Sequence, residues 1–330
     1  MKPEWNNPEF LRQTVCKEPL TVRDGIPRYI ESHYADTFGF EWQKFAETMY
    51  DSDALPNDFK KPEFITSNDW TEEFDDEWRK LPFLSNFDQK INFETAATFA
   101  AKTGFAPEEL KDKLVLDVGC GSGRFLDILA KSEVKVVGID PTSAIDSAGE
   151  ILAKRGLNEK VGLVQCGIED MPFHEETFDF IFSIGVLHHT PSIFESLRKL
   201  VKFLKPGGTL AIWIYHPVGS RRTLNRFWWR IIHNFSEKTI LNFVKPFVAL
   251  YPIYKLRPWG YFLKFLFPIC MHPDYAMRLC GTFDSYSPRY VHLTLYPDAI
   301  SYFRKLGFEN IEIGPFPTSI RGRKPERREE

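Results

Sequence analysis

Between about residues 110 and 216, short apolar runs alternate with stretches whose apolar residues recur at spacings of three and four. The runs Leu114–Val118, Val134–Ile139, Val161–Gln165, Phe178–Ser183 and Thr209–Tyr215 have the length and branched or aromatic content of buried strands. Between them, Arg124–Lys131 and Ser143–Arg155 have helical spacing. So does Ser192–Leu204, where Phe194, Leu197, Leu200, Val201 and Leu204 share a face and Ser192-x-x-Glu195 fits a capping box. Pro206-Gly207-Gly208 ends that helix. Strands alternating with helices predict an α/β fold, a parallel sheet covered on both faces. In such sheets ligands bind at the carboxyl ends of the strands.

The flanks follow other patterns. Tyr34, Phe38, Trp42 and Phe45 recur as on one helix face, after a turn at Asp24-Gly25 and Ile26-Pro27. This predicts a packed helix that also serves as a lid, with Tyr34 and Trp42 toward an acceptor. Residues 51–80 are acidic and predict a solvated connector; residues 92–112 look helical. From 221 to 264 there are nine Lys and Arg against the single acid Glu237, with aromatic residues interleaved throughout. Three readings compete for this stretch: a helical cap over an acceptor pocket, a surface touching membrane or a lipid-like substrate, and a nucleic-acid surface. The core pattern resumes with a helix over Pro297–Leu306, a strand over Phe308–Ile313 and a last strand near Pro317–Ile320. The expected division is an N-terminal extension or lid at 1–90, a ligand-binding core at 91–216, a basic aromatic helical insertion at 217–292, and completion of the sheet with a charged tail at 293–330.

Composition narrows this picture a little. The chain has 330 residues, 43% of them hydrophobic, and a formal net charge of −3, which excludes neither nucleic acid nor membrane. Five cysteines form no C-x-x-C pair, so neither a disulfide framework nor a metal site is expected. The polar N-terminus shows no secretory leader, and no apolar run reaches the 18 or so residues of a membrane span. A cytoplasmic protein is expected, with peripheral contact at a membrane left open by the insertion.

The candidate chemistry begins where the first strand ends. Asp117 is followed by Gly119, Gly121 and Gly123, and then by a helix. Glycines permit positive φ and close approach of a ligand to bare backbone, and a helix N-terminus offers free N–H groups. The spacing G-x-G-x-G differs from the G-x-G-x-x-G of dinucleotide folds. Asp140 ends the second strand about 20 residues on, where a carboxylate accepts from ribose hydroxyls; as a plain turn residue it would cap the bend before Pro141.

Taken together, L-D-V-G-C-G-S-G-R-F, V-V-G-I-D-P, Q-C-G-I-E-D-M-P-F-H-E-E-T-F-D-F-I-F-S and L-K-P-G-G-T-L-A-I-W resemble the ordered motifs of class I S-adenosylmethionine-dependent methyltransferases. The resemblance implies a Rossmann-like, doubly wound, seven-stranded sheet whose last strand is antiparallel, and S-adenosylmethionine as cofactor. It implies that Gly119, Gly121 and Ser122 lie against the methionine part and that Asp117 orders the turn or approaches the ammonium. Asp140 would hold the ribose, Ile168 would meet the adenine through its backbone, and Ser183 would border the amino-acid end. Similar sequences often carry Asp where this chain has Gly167; either Glu169 substitutes for it or the contact is lost.

Methyl transfer from a sulfonium needs alignment more than covalent help, and a base only when the acceptor must lose a proton. His188 and His189 in V-L-H-H-T-P follow the fourth strand, and Tyr215 and His216 follow the fifth. The three histidines are candidate bases. Tyr215, Arg289 and Tyr290 are candidate acceptor contacts. The expected acceptor is a small or lipid-linked molecule, with nucleic acid unlikely as a partner; the oligomeric state is not legible. The alternatives are an RNA or protein methyltransferase using the basic insertion, and a non-catalytic cofactor-binding subunit. An oxidoreductase is disfavoured by the glycine spacing.

Overall fold

A computed structural model describes residues 8–30, 63–69, 95–217, 222–256, 258–314 and 318–327, with Gly39, Lys44 and Phe316 besides. Ten described strands form one sheet: β1 (Thr21–Arg23), β2 (Ile26–Arg28), β3 (Ile65–Thr66), β4 (Leu114–Val118), β5 (Lys135–Asp140), β6 (Val161–Gln165), β7 (Phe178–Ile184), β8 (Leu204–Trp213), β9 (Glu309–Ile313) and β10 (Ser319–Arg323). Their order is β1-β2-β6-β5-β4-β7-β8-β10-β9-β3. Within it, β6-β5-β4-β7-β8-β10-β9 is the expected seven-stranded sheet, and β10 runs antiparallel to both neighbours. The three extra strands lie at the edges. Asp24 and Gly25, both at positive φ, close β1 on β2 as a two-residue hairpin. β2 then joins β6 through one parallel pair, and β3 pairs with β9. Segments of two or three residues are too short for alternation to announce them.

Period-2 burial explains the layering. On one face Leu116, Val118, Val137, Ile139, Ile181 and Ile212 pack with α5 (Ile193–Phe203) and α11 (Tyr296–Lys305). On the other, Val115, Val136, Phe180, Phe182 and Ala211 pack with α2 (Thr95–Thr103), α3 (Arg124–Lys131) and α4 (Ala144–Lys154). A short α1 (Glu9–Thr14) buries Leu11 against the first of these layers. β4 and β5 run in register from Leu114↔Lys135 to Val118↔Ile139, so their carboxyl ends lie level.

The insertion is helical, as expected: α6 (Arg222–Ile232), α7 (Glu237–Ala249), α8 (Tyr251–Tyr254), α9 (Trp259–Leu266) and α10 (Tyr275–Asp284). It has its own core, in which Ile240, Val244, Val248, Phe267, Phe283 and Tyr286 are buried together. The stretch expected to be a helix carrying Tyr34 and Trp42 falls outside the described residues.

Candidate active site

The turn after β4 is built by backbone geometry. Gly119, Gly121 and Gly123 all have positive φ. The Gly119 and Cys120 N–H groups both donate to the Ile139 carbonyl, at 2.8 and 3.0 Å, which ties the turn to the end of β5. Asp140 then braces it. Its Oδ2 accepts from Gly121 N at 3.0 Å, and its Oδ1 accepts from Thr142 N at 2.9 Å and Thr142 Oγ1 at 2.6 Å. The carboxylate expected to meet the ribose is thus also the one that holds the turn.

Asp117 lies beneath the turn, buried, and its Oδ2 has no hydrogen-bond partner among the described residues. Burial first, and Asp140 second, push its carboxyl well above the usual range. Asp140 is raised as well by burial, against the lowering pull of its bonds to Thr142 and Gly121. Two adjacent buried carboxyls with an orphaned oxygen suit a ligand that brings positive charge and hydroxyl donors. S-adenosylmethionine has both.

The remaining cofactor candidates sit around this turn. Ser122 is buried in it. Ser183 is buried at the end of β7 and donates to the Val118 carbonyl at 3.1 Å. Ile168 is partly buried against the core layer. Glu169 is half exposed and ion-paired with Lys199 of α5.

The residues expected on the acceptor side form a histidine–aromatic cluster where β7 and β8 end. His188 is fully buried in a single turn of 3-10 helix, Leu187–His189. Its ring stacks on Tyr215 at 3.6 Å, and its Nδ1 accepts from the Tyr215 N–H at 3.3 Å. That bond selects the tautomer with hydrogen on Nε2, a buried atom with no partner among the described residues. Burial, and then the positive surroundings of His189, His292 and Lys102, hold the His188 pKa well below its ordinary value, so the ring is neutral at pH 7. His189 is also lowered by burial, with Asp284 and its bond to Tyr290 opposing. Its Nδ1 lies 2.9 Å from the Tyr290 carbonyl, which can only accept. The Tyr215 hydroxyl donates to Asp284 at the end of α10, at 3.0 Å. Returning from the insertion, the chain is stitched to the same edge: His292 N donates to the His188 carbonyl at 2.8 Å, and Thr294 N to the Tyr215 carbonyl at 2.9 Å.

His188, His189 and Tyr215 are thus brought together with Tyr290. His216 lies to one side, its ring 6.1 Å from Tyr296. Arg289 is exposed, its guanidinium 5.9 Å from the Tyr290 ring. Tyr34 and Trp42 lie outside the described residues. Two members of the cluster have no place in the sequence reading. Asp284 is one acid among many. Lys102 is buried in α2 with its ammonium 3.5 Å over the Trp213 ring; a lone lysine in the alanine-rich run T-A-A-T-F-A-A-K-T was the available signal.

The orphaned carboxylate has a measurable consequence. A carboxyl raised in the free protein and ionised beside a bound ammonium must release a proton on binding. Affinity for S-adenosylmethionine should therefore rise with pH through the raised Asp117 pKa and level off above it. Calorimetry in buffers of different ionisation enthalpy would show the released proton, and Asp117→Asn should remove it. A pH-independent affinity would contradict this placement of the ammonium.

Comparison with known proteins agrees with the geometry on the donor side and corrects the acceptor. A family profile described as a methyltransferase domain matches residues 116–212. The tRNA U34 carboxymethyltransferase of Cellvibrio japonicus is 39% identical over 108 residues, 31% of this chain and 33% of that protein. The protein of that name from Proteus mirabilis is 42% identical over 140 residues, 41% of this chain and 42% of that protein. The chain thus spans well under half the length of these curated relatives. Among solved structures, a Burkholderia thailandensis 1,6-didemethyltoxoflavin-N1-methyltransferase with bound S-adenosylhomocysteine is 18% identical, covers 66% of this chain and 72% of its own, and superposes with a TM-score of 0.38. The relatives' names concern tRNA, which overturns two expectations: a small-molecule or lipid-linked acceptor, and nucleic acid as an unlikely partner. A macromolecular acceptor leaves no motif in a donor-binding core, so the glycine turn carried no warning. With the matched profile, the four motifs and the strand order in agreement, residues 116–212 match a methyltransferase domain and have the class I S-adenosylmethionine-dependent methyltransferase fold.

Proposed function

We propose that this chain is an S-adenosylmethionine-dependent transferase that modifies tRNA. The observation that carries the reading is the 39–43% identity to tRNA U34 carboxymethyltransferases over 108–140 residues. The bound sulfonium supplies an activated carbon with a neutral leaving group. Asp117 receives the ammonium, the Gly119–Gly121 backbone lies against the methionine part, and Asp140 receives the ribose. Ile168 and Glu169 border the adenine, and Ser183 the amino-acid end.

An acceptor O–H or N–H must lose its proton as the new bond forms. Tyr215 suits that step better than the histidines. In the selected tautomer His188 presents Nε2–H, a donor; His189 donates Nδ1–H to Tyr290 and keeps Nε2 as its acceptor, but burial lowers the basicity of that ring. Tyr215 already donates to Asp284, so its oxygen can take the acceptor's proton as its own passes to the carboxylate. His188, stacked on Tyr215, positions it. Tyr215→Phe should slow turnover by about 10²–10⁴, the range for loss of general acid–base help, while calorimetric affinity for the cofactor stays unchanged. Turnover at the wild-type rate would remove Tyr215 from the mechanism.

The assay for the function uses the purified full chain, labelled S-adenosylmethionine and bulk tRNA. Label in an RNase-sensitive fraction, with a mass increment on a uridine, is the expected result. The increment distinguishes a methyl from a carboxymethyl product. Label only in protease-sensitive material would overturn the reading in favour of a protein acceptor. No transfer with intact cofactor binding would favour a non-catalytic subunit.

A further inference from the structure

The insertion's helices are apolar on two sides, and only one side is used. In α9 the inward positions are Gly260, where a Cβ would lie 2.2 Å from the Tyr254 carbonyl, and Leu263, packed on the cap core, followed by the buried Phe267. Outward stand Trp259, Tyr261, Phe262 and Phe265, each more than half exposed, with Leu266 beside them. Leu250, Ile253 and Leu256, in and beside α8, and Phe227, Ile231 and Phe235, in and just after α6, are exposed as well. Eleven of the fifteen exposed large hydrophobic residues described in the protein fall in this stretch of about 40 residues. A soluble surface rarely concentrates apolar residues without a partner. Along the sequence the stretch is charged in one sense, with nine Lys and Arg against one Glu between 221 and 264, and Arg230, Lys238 and Lys255 are exposed among the side chains described.

We propose that this face of the insertion docks peripherally on an anionic lipid surface, with α9 lying in the interface. Charge complementarity selects this occupant over a second copy of the chain, because a two-fold contact would set the bases against themselves. The side chains select it over single-stranded RNA. A base-stacking platform interleaves rings with cations along a groove; within α9 itself the exposed rings stand with one cation, Lys264, and the exposed Leu266 of α9, like Leu250, Ile253 and Leu256, has no π-face to offer. Lipid accepts aliphatic and aromatic side chains alike. Trp259 and Tyr261 suit the headgroup boundary, Phe262, Phe265 and Leu266 suit the acyl chains, and Lys255 and Lys264 reach the phosphates. No helix among the described residues is long and apolar enough to cross a membrane, so the contact is one of lying on the surface. This inference is independent of the tRNA reading, since it uses none of the residues at the strand ends.

The test is sedimentation of the full chain with vesicles. With phosphatidylcholine containing about one-third phosphatidylglycerol the chain should pellet, with a partition that weakens as salt rises; with phosphatidylcholine alone it should bind much less. Trp259→Ser/Phe262→Ser/Phe265→Ser should weaken binding at least about tenfold while leaving the thermal transition unchanged, because these side chains are not in the cap core. Lys255→Glu/Lys264→Glu, on an intact apolar face, should abolish the preference for the anionic vesicles. No binding to anionic vesicles overturns the proposal. So does self-association that the triple serine variant abolishes in the absence of lipid, and so does single-stranded RNA binding lost in that variant while vesicles fail to bind.

Discussion

Asp140→Ala is expected to weaken S-adenosylmethionine binding by about 100-fold or more and to lower thermal stability in the same variant. The first effect follows if, as proposed, this carboxylate accepts from the ribose hydroxyls, since hydrogen bonds to a charged group are worth about 1.5–3 kcal/mol each. The second follows from what the carboxylate does in the free protein. Its two oxygens take the N–H groups of Gly121 and Thr142 and the Thr142 hydroxyl, all within a buried turn. Alanine would leave those donors without partners. A control separates the roles: Thr142→Val removes a brace but no ribose contact, so it should lower the melting temperature with a much smaller loss of affinity. Calorimetry and a thermal scan on both variants suffice. Unchanged affinity in Asp140→Ala would sink the ribose assignment.

Gly119→Ala should be equally severe for a different reason. Gly119 sits at φ +79, and a Cβ there would lie 2.4 and 2.6 Å from the two Val186 methyl groups. The left-handed backbone alone costs a side chain about 1–2 kcal/mol, and the contact forces the turn away from the strand that follows it in space. Donor binding should fall below detection by calorimetry, with a melting temperature several degrees lower. Gly119→Ala/Val186→Ala should recover part of the stability, because the methyl clash goes while the backbone strain stays. A Gly119→Ala protein that binds S-adenosylmethionine normally would show that the turn rearranges freely, against the role given to it.

Much of this site was legible in the sequence because its chemistry is local. The apolar runs that became β4 to β7 end within about one residue of their predicted ends, and both carboxylates fall at the level strand ends that the pattern implied. β8 begins five residues early, at Leu204, because Leu204 pairs with Phe178 before the Pro206-Gly207-Gly208 bulge; proline and glycine read as a break where the backbone only detours. The insertion was less legible. Its helices are apolar on an inner and an outer side, so periodicity shows helix without showing which face is core. Asp284 was invisible, since its meaning comes from a tyrosine 69 residues away. The acceptor was misread because basic and aromatic residues together serve lipid and nucleic acid alike, and the correction needed relatives rather than residues.

The insertion leaves the sheet after Tyr215 and returns at Thr294, and those two positions are joined by one 2.9 Å hydrogen bond. Departure and return at a single point make residues 216–293 a cassette. A different segment between the same two anchors would leave the strand registers and the glycine turn in place, but it would have to replace the partners that Asp284, Tyr290 and His292 give to Tyr215, His189 and His188. Diversification of such a domain is therefore cheap on the acceptor side and costly on the donor side. The same join marks where a designer would cut to graft a new recognition surface.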